Sequence, residues 1–129
     1  MQKTESRAAA MAQAHCEAWS NHDYAKAREA LAPDVKVTAT STQDGLPLTN
    51  LIGVDDYMKG LVLFADTVQP GSLKTNAVVG DERNALLLVT VKTQGPPLGP
   101  TTLSGARLYL FDENDKIKSE QVVFYVVPD

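Results

Sequence analysis

Hydrophobic side chains in the first part of the chain recur every three or four residues, which is the period of an α-helix. One such stretch covers residues 6–20 and a shorter one residues 24–31, with Asp23 placed to cap the second helix. A third stretch follows Gly53 and ends before Pro70. The first apolar stripe contains Met11, His15 and Trp19 beside Ala12 and Cys16, and the third helix carries Tyr57, Leu61, Phe64 and Val68, widened by Met58, Val62 and Ala65. The pattern predicts a helical hairpin and a separate third helix.

Between and after these helices, apolar and polar residues alternate in the way that is typical of β-strands. The first strand is predicted over residues 35–40, and residues 43–47 form a turn-rich crossing towards the third helix. Four further strands are predicted over residues 73–79, 85–93, 103–111 and 117–127. Short polar connections at residues 80–84 and 112–116 predict two hairpins, whereas residues 94–100 form a longer connection stiffened by proline.

The order of these elements, helices first and strands later, predicts an α+β fold in which the helices cover one face of a mostly antiparallel sheet. The length is that of one ordinary domain, so a single domain is expected over residues 1–129. The last strand carries apolar residues at adjacent positions from Val122 to Val127, so both of its faces are expected to contact apolar groups. A second copy of the chain would cover the outer face, and a homodimer is therefore predicted.

Composition and charge restrict the partners. Hydrophobic residues make up 43% of the chain and charged residues 22%, as is usual for a globular protein. A net charge of -4 without a lysine and arginine cluster argues against binding to nucleic acid. The chain has no stretch of about 18 apolar residues and no signal-peptide core near its start, so no membrane contact is expected. Cys16, the single cysteine, is expected to be a buried thiol, and a cytoplasmic protein is predicted.

Two segments carry a resemblance to a known superfamily. They are AWSNHDYAKAREALAPDVKV, at the helical hairpin and first strand, and LYLFDENDKIKSEQV, at the last hairpin. With the order of elements over nearly the whole chain, they resemble the nuclear transport factor 2-like superfamily, particularly its ketosteroid isomerase-like and SnoaL-like members. The resemblance implies a cystatin-like, cone-shaped α+β barrel, in which three N-terminal helices pack on a curved mixed sheet. It also implies a pocket for small apolar molecules at the wide end of the cone.

The ketosteroid isomerase pattern implies three catalytic positions in this chain. It places a hydroxyl donor on the first helix at His15, a general base on the first strand near Ala39 and a protonated acid at Arg107. None of these residue types is kept, because Ala39 has no group that accepts a proton and Arg107 is a permanent cation. Isomerase, cyclase, hydrolase, dehydratase and plain binding functions therefore stay open, since a fold alone does not determine its chemistry.

Arg107 is the first candidate for chemistry at a site. Strand alternation places Arg107, Tyr109 and Phe111 on one face. If that face lines the pocket, the guanidinium can hold a carboxylate or stabilise an oxyanion, and if it is exposed, Arg107 is only solvated. Across the hairpin turn Arg107 falls roughly opposite Glu120 or Gln121, so an ion pair with Glu120 is predicted. Limonene epoxide hydrolase-like relatives similarly use an arginine between carboxylates to activate water, although Glu120 is the only candidate acid in reach here.

Two histidines and two adjacent acids are further candidates. His15 lies on the apolar stripe of the first helix, where its imidazole can donate a hydrogen bond to a ligand carbonyl, shuttle a proton, or simply be a satisfied core residue. His22 is expected to be a solvent-facing turn residue. Asp55 and Asp56 stand at the start of the third helix, where capping and the helix dipole favour acids, so no metal site is expected.

These residues lead to two alternative functions. The first is a cofactor-free enzyme, isomerase-, cyclase- or hydrolase-like, that acts on a small apolar molecule with His15, Arg107 and Glu120 as catalytic residues. The second is a non-catalytic ligand-binding or interaction module, in which Arg107 and Glu120 only neutralise each other. The residues expected to line the pocket are Trp19, Tyr57, Leu61, Phe64, Tyr109 and Phe124.

Overall fold

The order of helices and strands confirms the predicted α+β fold class. A computed structural model describes residues 6–41, 49–96 and 99–127. Its helices are α1 (Arg7–Ser20), α2 (Tyr24–Glu29) and α3 (Val54–Ala65). Its strands are β1 (Leu31–Ser41), β2 (Thr49–Ile52), β3 (Lys74–Gly80), β4 (Asn84–Thr93), β5 (Thr101–Phe111) and β6 (Ile117–Val126). Within these described ranges, no helix is long and apolar enough to cross a membrane.

The strands form one curved sheet in the order β2-β1-β6-β5-β4-β3. Neighbouring strands are antiparallel except β1 and β6, which are parallel, so the sheet is mixed and mostly antiparallel as predicted. β2 and β3 are the two edges and do not pair with each other. The sheet is therefore an open form of the cone-shaped barrel that the resemblance implies, and the helices cover its concave side.

Two element boundaries differ from the hydrophobic pattern. β2 was not predicted, because a four-residue strand at a sheet edge shows too few alternations to be distinguished from a loop. β1 already begins at Leu31 and passes through Pro33, where its pairing with β6 is irregular. Proline has no N–H for the ladder, so an irregular stretch of strand is where it is tolerated. The turn-rich crossing predicted over residues 43–47 lies outside the described residues.

His22 binds the end of α3, and its predicted exposure to solvent is wrong. Its Nε2 lies 2.9 Å from the carbonyl oxygen of Ala65 and 3.0 Å from that of Val68, and it donates a shared hydrogen bond to these two oxygens. The carbonyl of Ala65 also accepts from Val68 N, so the imidazole ties the last residue of α3 to the segment that follows the helix. Val68, predicted on the stripe of the third helix, lies beyond its end and forms a buried bridge with Thr93.

Burial along β4 and β5 shows which face of the sheet meets the helices. Alternate residues of β4 are buried, including Leu87, and the same alternation in β5 buries Arg107, Tyr109 and Phe111. α1 packs on β4, while α3 packs on β1. The solvated alternative for Arg107 is therefore wrong, because this residue lies on the face that the helices cover.

A β-bulge in β6 determines which of its side chains face the core. Phe111 pairs with Ile117, whereas the preceding residue of β5 pairs with Ser119, so Lys118 is an extra residue in β6. Because side chains alternate along a strand, one extra residue reverses the faces of those that follow it. Glu120 is consequently buried, while Lys118 is exposed.

Candidate functional site

A buried ion pair between Arg107 and Glu120 is the centre of the candidate site. Arg107 Nη1 donates a hydrogen bond to Glu120 Oε2 at 2.7 Å, and less than a tenth of each side chain is exposed. The expected pair is present, but its predicted register is wrong, because Arg107 stands opposite Val122 and Glu120 opposite Tyr109. The bulge shifts β6 by one residue, so the pair forms along a diagonal across the two strands.

Tyr57 on α3 supplies the second hydrogen bond to the carboxylate. Its hydroxyl donates to Glu120 Oε1, so each oxygen of Glu120 accepts from one donor. His15 Nε2 on α1 lies 3.4 Å from the Tyr57 hydroxyl oxygen. Since the Tyr57 proton is directed to Glu120, the imidazole is the donor in this contact. A continuous polar chain therefore runs from α1 through α3 to the two central strands.

Burial sets the protonation states around the ion pair. It lowers the pKa of His15 to about 4, against the opposing charge of Glu120, so the imidazole is neutral at neutral pH. Burial also raises the pKa of Tyr57 well above its usual value, and the negative charge of Glu120 raises it further. For Arg107, burial lowers the pKa, but Tyr109 and Glu120 outweigh this effect and the pKa lies above its usual value. The guanidinium therefore stays charged.

Aromatic rings surround the guanidinium of Arg107. Its central carbon lies 4.7 Å from the ring centroid of Trp19 and 5.7 Å from that of Phe64, within the range of cation–π attraction. Arg107 Nε is buried and has no hydrogen-bond partner among the described residues.

Cys16 on α1 contacts Tyr109 on β5. Its Sγ lies 3.2 Å from the Tyr109 hydroxyl oxygen, and burial raises the pKa of this thiol to about 11. Cys16 is thus the buried thiol that the sequence predicts, and its raised pKa keeps it protonated.

A cavity of about 160 Å³ lies between α3 and the sheet and reaches the ion pair. The polar residues that border it, Tyr57, Arg107 and Glu120, are all buried. The other residues on its border are apolar, and some of them, such as Phe64 and Phe124, are only half-buried. The cavity therefore has a polar inner end and a mostly apolar wall.

The structure divides the predicted site residues into two groups. Those that border the cavity are Arg107, Glu120, Tyr57, Leu61, Phe64 and Phe124. Three others, His15, Trp19 and Tyr109, are buried beside it and are not among the described residues that border it. His15 reaches the site through Tyr57, and Trp19 reaches it through the guanidinium of Arg107 and the ring of Phe64.

Other lining residues escaped the sequence analysis. Gly60 stands three residues after Tyr57 on α3, so helical spacing could have found it, but a glycine has no side chain to draw attention. Leu51 lies in β2, the strand that the pattern did not show. No sequence pattern predicted the hydrogen bond between Tyr57 and Glu120, because this contact depends on how α3 packs on the sheet.

The acids at the start of α3 do not form a metal site. Asp55 forms an ion pair with Arg28 at 2.6 Å, with both side chains exposed. The N-cap residue is Gly53, so Asp55 and Asp56 favour the helix through its dipole and the predicted capping role is wrong. Across residues 6–41, 49–96 and 99–127, no three acids, histidines or cysteines lie together in a way that could hold a metal ion.

The open curved sheet, the covering helices and the cavity between them define a protein of the nuclear transport factor 2-like class. The model of the SnoaL-like domain matches residues 12–120, and the chain belongs to this family. The predicted resemblance is thus confirmed. No curated protein matches the chain.

Solved structures with the same fold have low sequence identity to this chain. A steroid delta-isomerase from Pseudomonas aeruginosa is 16% identical, with a TM-score of 0.66 over 96% of this chain and 83% of that one. An LEH-like epoxide hydrolase from M. tuberculosis is also 16% identical, with a TM-score of 0.66 over 91% of this chain and 81% of that one. An NTF2-like protein from Cytophaga hutchinsonii is 16% identical, with a TM-score of 0.67 over 98% and 96%. At such identities the likeness shows the fold alone.

The neutral state of His15 predicts a loss of stability in acid. Its pKa falls from 6.5 to about 4 on folding, so the unfolded chain binds more protons between these pH values. The contribution of neutral His15 to the free energy of unfolding is complete above pH 6.5 and is lost as the pH falls towards 4. At about 1.4 kcal/mol per pKa unit, the loss is about 3 kcal/mol. The free energy of unfolding in urea is the measurement. Over this pH range it is expected to fall by about 3 kcal/mol less for His15→Gln than for the wild type. Equal losses, with a His15 imidazole that titrates near 6.5 by NMR, would contradict this.

Proposed function

We propose that this SnoaL-like domain binds a small, mostly apolar molecule in the cavity between α3 and the sheet. The supporting observation is a cavity of about 160 Å³ with apolar walls and convergent polar groups at one end, the usual composition of a ligand site. Typical ligand pockets begin at about 300 Å³, whereas a dry cavity of about 150 Å³ holds one benzene. The proposed ligand therefore has a body about the size of one aromatic ring.

The site favours binding over isomerisation by the ketosteroid isomerase pattern. Ala39 borders the cavity where that pattern has its general base, and a methyl group cannot accept a proton. His15 lies behind Tyr57. Both oxygens of Glu120 already accept hydrogen bonds, from Tyr57 and Arg107. No observation on the described residues favours turnover over binding, so the activities of the isomerase and epoxide hydrolase neighbours are not proposed for this chain.

A larger side chain at Ala39 is expected to abolish binding by filling the cavity. Toluene is the probe, and its dissociation constant is measured by NMR titration. Thr38→Phe is the matched control, because Thr38 is the preceding residue of β1 and its side chain is exposed. Toluene is expected to bind the wild type and Thr38→Phe equally, and Ala39→Phe at least about tenfold more weakly. The proposal fails if toluene does not bind the wild type or binds all three proteins equally.

We also propose that a second copy of the chain covers the outer face of the sheet. Five large apolar side chains on this face are between 39% and 49% exposed, and together they form the outer apolar patch: Leu86, Leu88, Leu108, Val123 and Tyr125. Leu86 stands directly opposite Leu108, so the patch is continuous from β4 to β5. Packing one sheet face on the same face of a second copy satisfies two-fold symmetry, the commonest symmetry of oligomers.

A charge in the outer apolar patch is expected to separate the two copies. Sedimentation equilibrium of the wild type is expected to give the mass of two chains, and Leu108→Glu the mass of one, because a buried unpaired carboxylate opposes association. Leu63→Glu is the control, since Leu63 is 76% exposed on α3 and lies outside the patch. It is expected to keep the mass of two chains. A wild type that sediments as one chain at all concentrations rules the dimer out.

A further inference from the structure

We infer that Leu51 sets the size of the ligand, and that an apolar molecule larger than one aromatic ring enters the cavity by displacing this side chain from Gly60. The inference rests on the proposed function and adds the wall at which the cavity enlarges. Two observations carry it. Among the described residues that border the cavity, Leu51 alone comes from an edge strand, and its methyl group fills the space of the side chain that Gly60 lacks.

Leu51 has less support from the sheet than the other lining residues. β1, β5 and β6, which carry the rest of the sheet side of the cavity, each pair with a neighbouring strand on both sides. β2 has four residues and pairs with β1 alone, opposite residues 36–39. Leu51 is also half-buried, so its side chain reaches the surface. A change of its rotamer can therefore move its methyl groups out of the cavity without displacing a fully buried side chain.

The helix on the other side of the cavity is held at three points. At the start of α3, the backbone N–H of Gly53 donates to the carbonyl oxygen of Val35 at 2.7 Å. Near the middle, the hydroxyl of Tyr57 donates to the carboxylate of the buried ion pair. At the end, Nε2 of His22 lies 2.9 Å from the carbonyl oxygen of Ala65. Because these contacts resist a shift of α3, a ligand that needs more room displaces the β2 side of the cavity first.

Gly60 determines where the side chain of Leu51 lies in the cavity wall. A Cβ added at Gly60 would lie 2.8 Å from Leu51 Cδ1, which is closer than two carbon atoms in ordinary contact. The methyl group of Leu51 thus occupies a niche on α3 that exists because position 60 has no side chain. The dispersion contacts of one methyl group are individually weak, so an apolar ligand that makes the same contacts can take its place.

Toluene and n-butylbenzene test this inference in the wild type. n-Butylbenzene has three more carbon atoms than toluene, the same number that leucine has beyond alanine. The ¹³C chemical shifts of leucine methyl groups report the side-chain rotamer and are followed by NMR as each ligand binds. n-Butylbenzene is expected to bind and to change the rotamer of Leu51, whereas toluene is expected to bind without this change. Leu61 on α3 borders the same cavity and is expected to keep its rotamer with both ligands.

Three outcomes overturn the inference while toluene binds. They are no binding of n-butylbenzene, binding with Leu51 in its original rotamer, and a rotamer change at Leu61 instead of Leu51. If toluene also fails to bind, the proposed function fails together with the inference.

Leu51→Ala measures how much the displacement of Leu51 costs. The preference is the dissociation constant of toluene divided by that of n-butylbenzene. It is expected to rise at least about tenfold in this variant, because the larger ligand finds its space without moving a side chain. Ile52→Ala is the matched control, since Ile52 is the next residue of β2 and is 61% exposed; its preference is expected to equal that of the wild type. Equal preferences in all three proteins overturn the role of Leu51, and the wild-type experiment does not depend on the folding of either variant.

Discussion

The ion pair between Arg107 and Glu120 is the constraint on which the interior of this domain depends. Two charges removed from water are stable only when they are paired and when their remaining hydrogen-bonding groups are satisfied. β5 and β6 supply the charges, Tyr57 on α3 supplies a donor to the carboxylate, and Trp19 on α1 covers the guanidinium. α1 and α3 thus each have one side chain that contacts the ion pair, which ties the positions of these two helices to the central strands.

The cavity follows from how α3 lies on the sheet. Tyr57 stands at its polar end, and Leu61 and Phe64 continue the same face as an apolar wall. At Gly60 an added Cβ would lie 2.8 Å from Leu51 Cδ1, so the absence of a side chain lets α3 approach β2 closely. A single helix therefore provides the donor, part of the apolar wall and the close contact to β2.

Much of this fold could be predicted because its signals are local. Helical and strand periodicities predicted the helices and most strands, and alternation placed Arg107, Tyr109 and Phe111 on one face. The extra residue Lys118 could not be recognised, because residues 118–121 are all polar and show no alternation that a bulge could shift, and the register of Glu120 was wrong for that reason. Contacts made by helix docking carried no local signal either. The single domain over residues 1–129, the cytoplasmic location and the absence of a cofactor stay predictions.

A double-mutant cycle on the ion pair measures most directly whether the fold depends on it. The free energy of unfolding in urea is compared for the wild type, Arg107→Met, Glu120→Leu and the double variant. Each single substitution leaves one buried charge without its partner, and a loss of about 3–5 kcal/mol is expected for each. The double variant removes both charges, so its loss is expected to be much smaller than the sum of the two. Single losses that simply add up would show that the two charges act independently and would contradict this account.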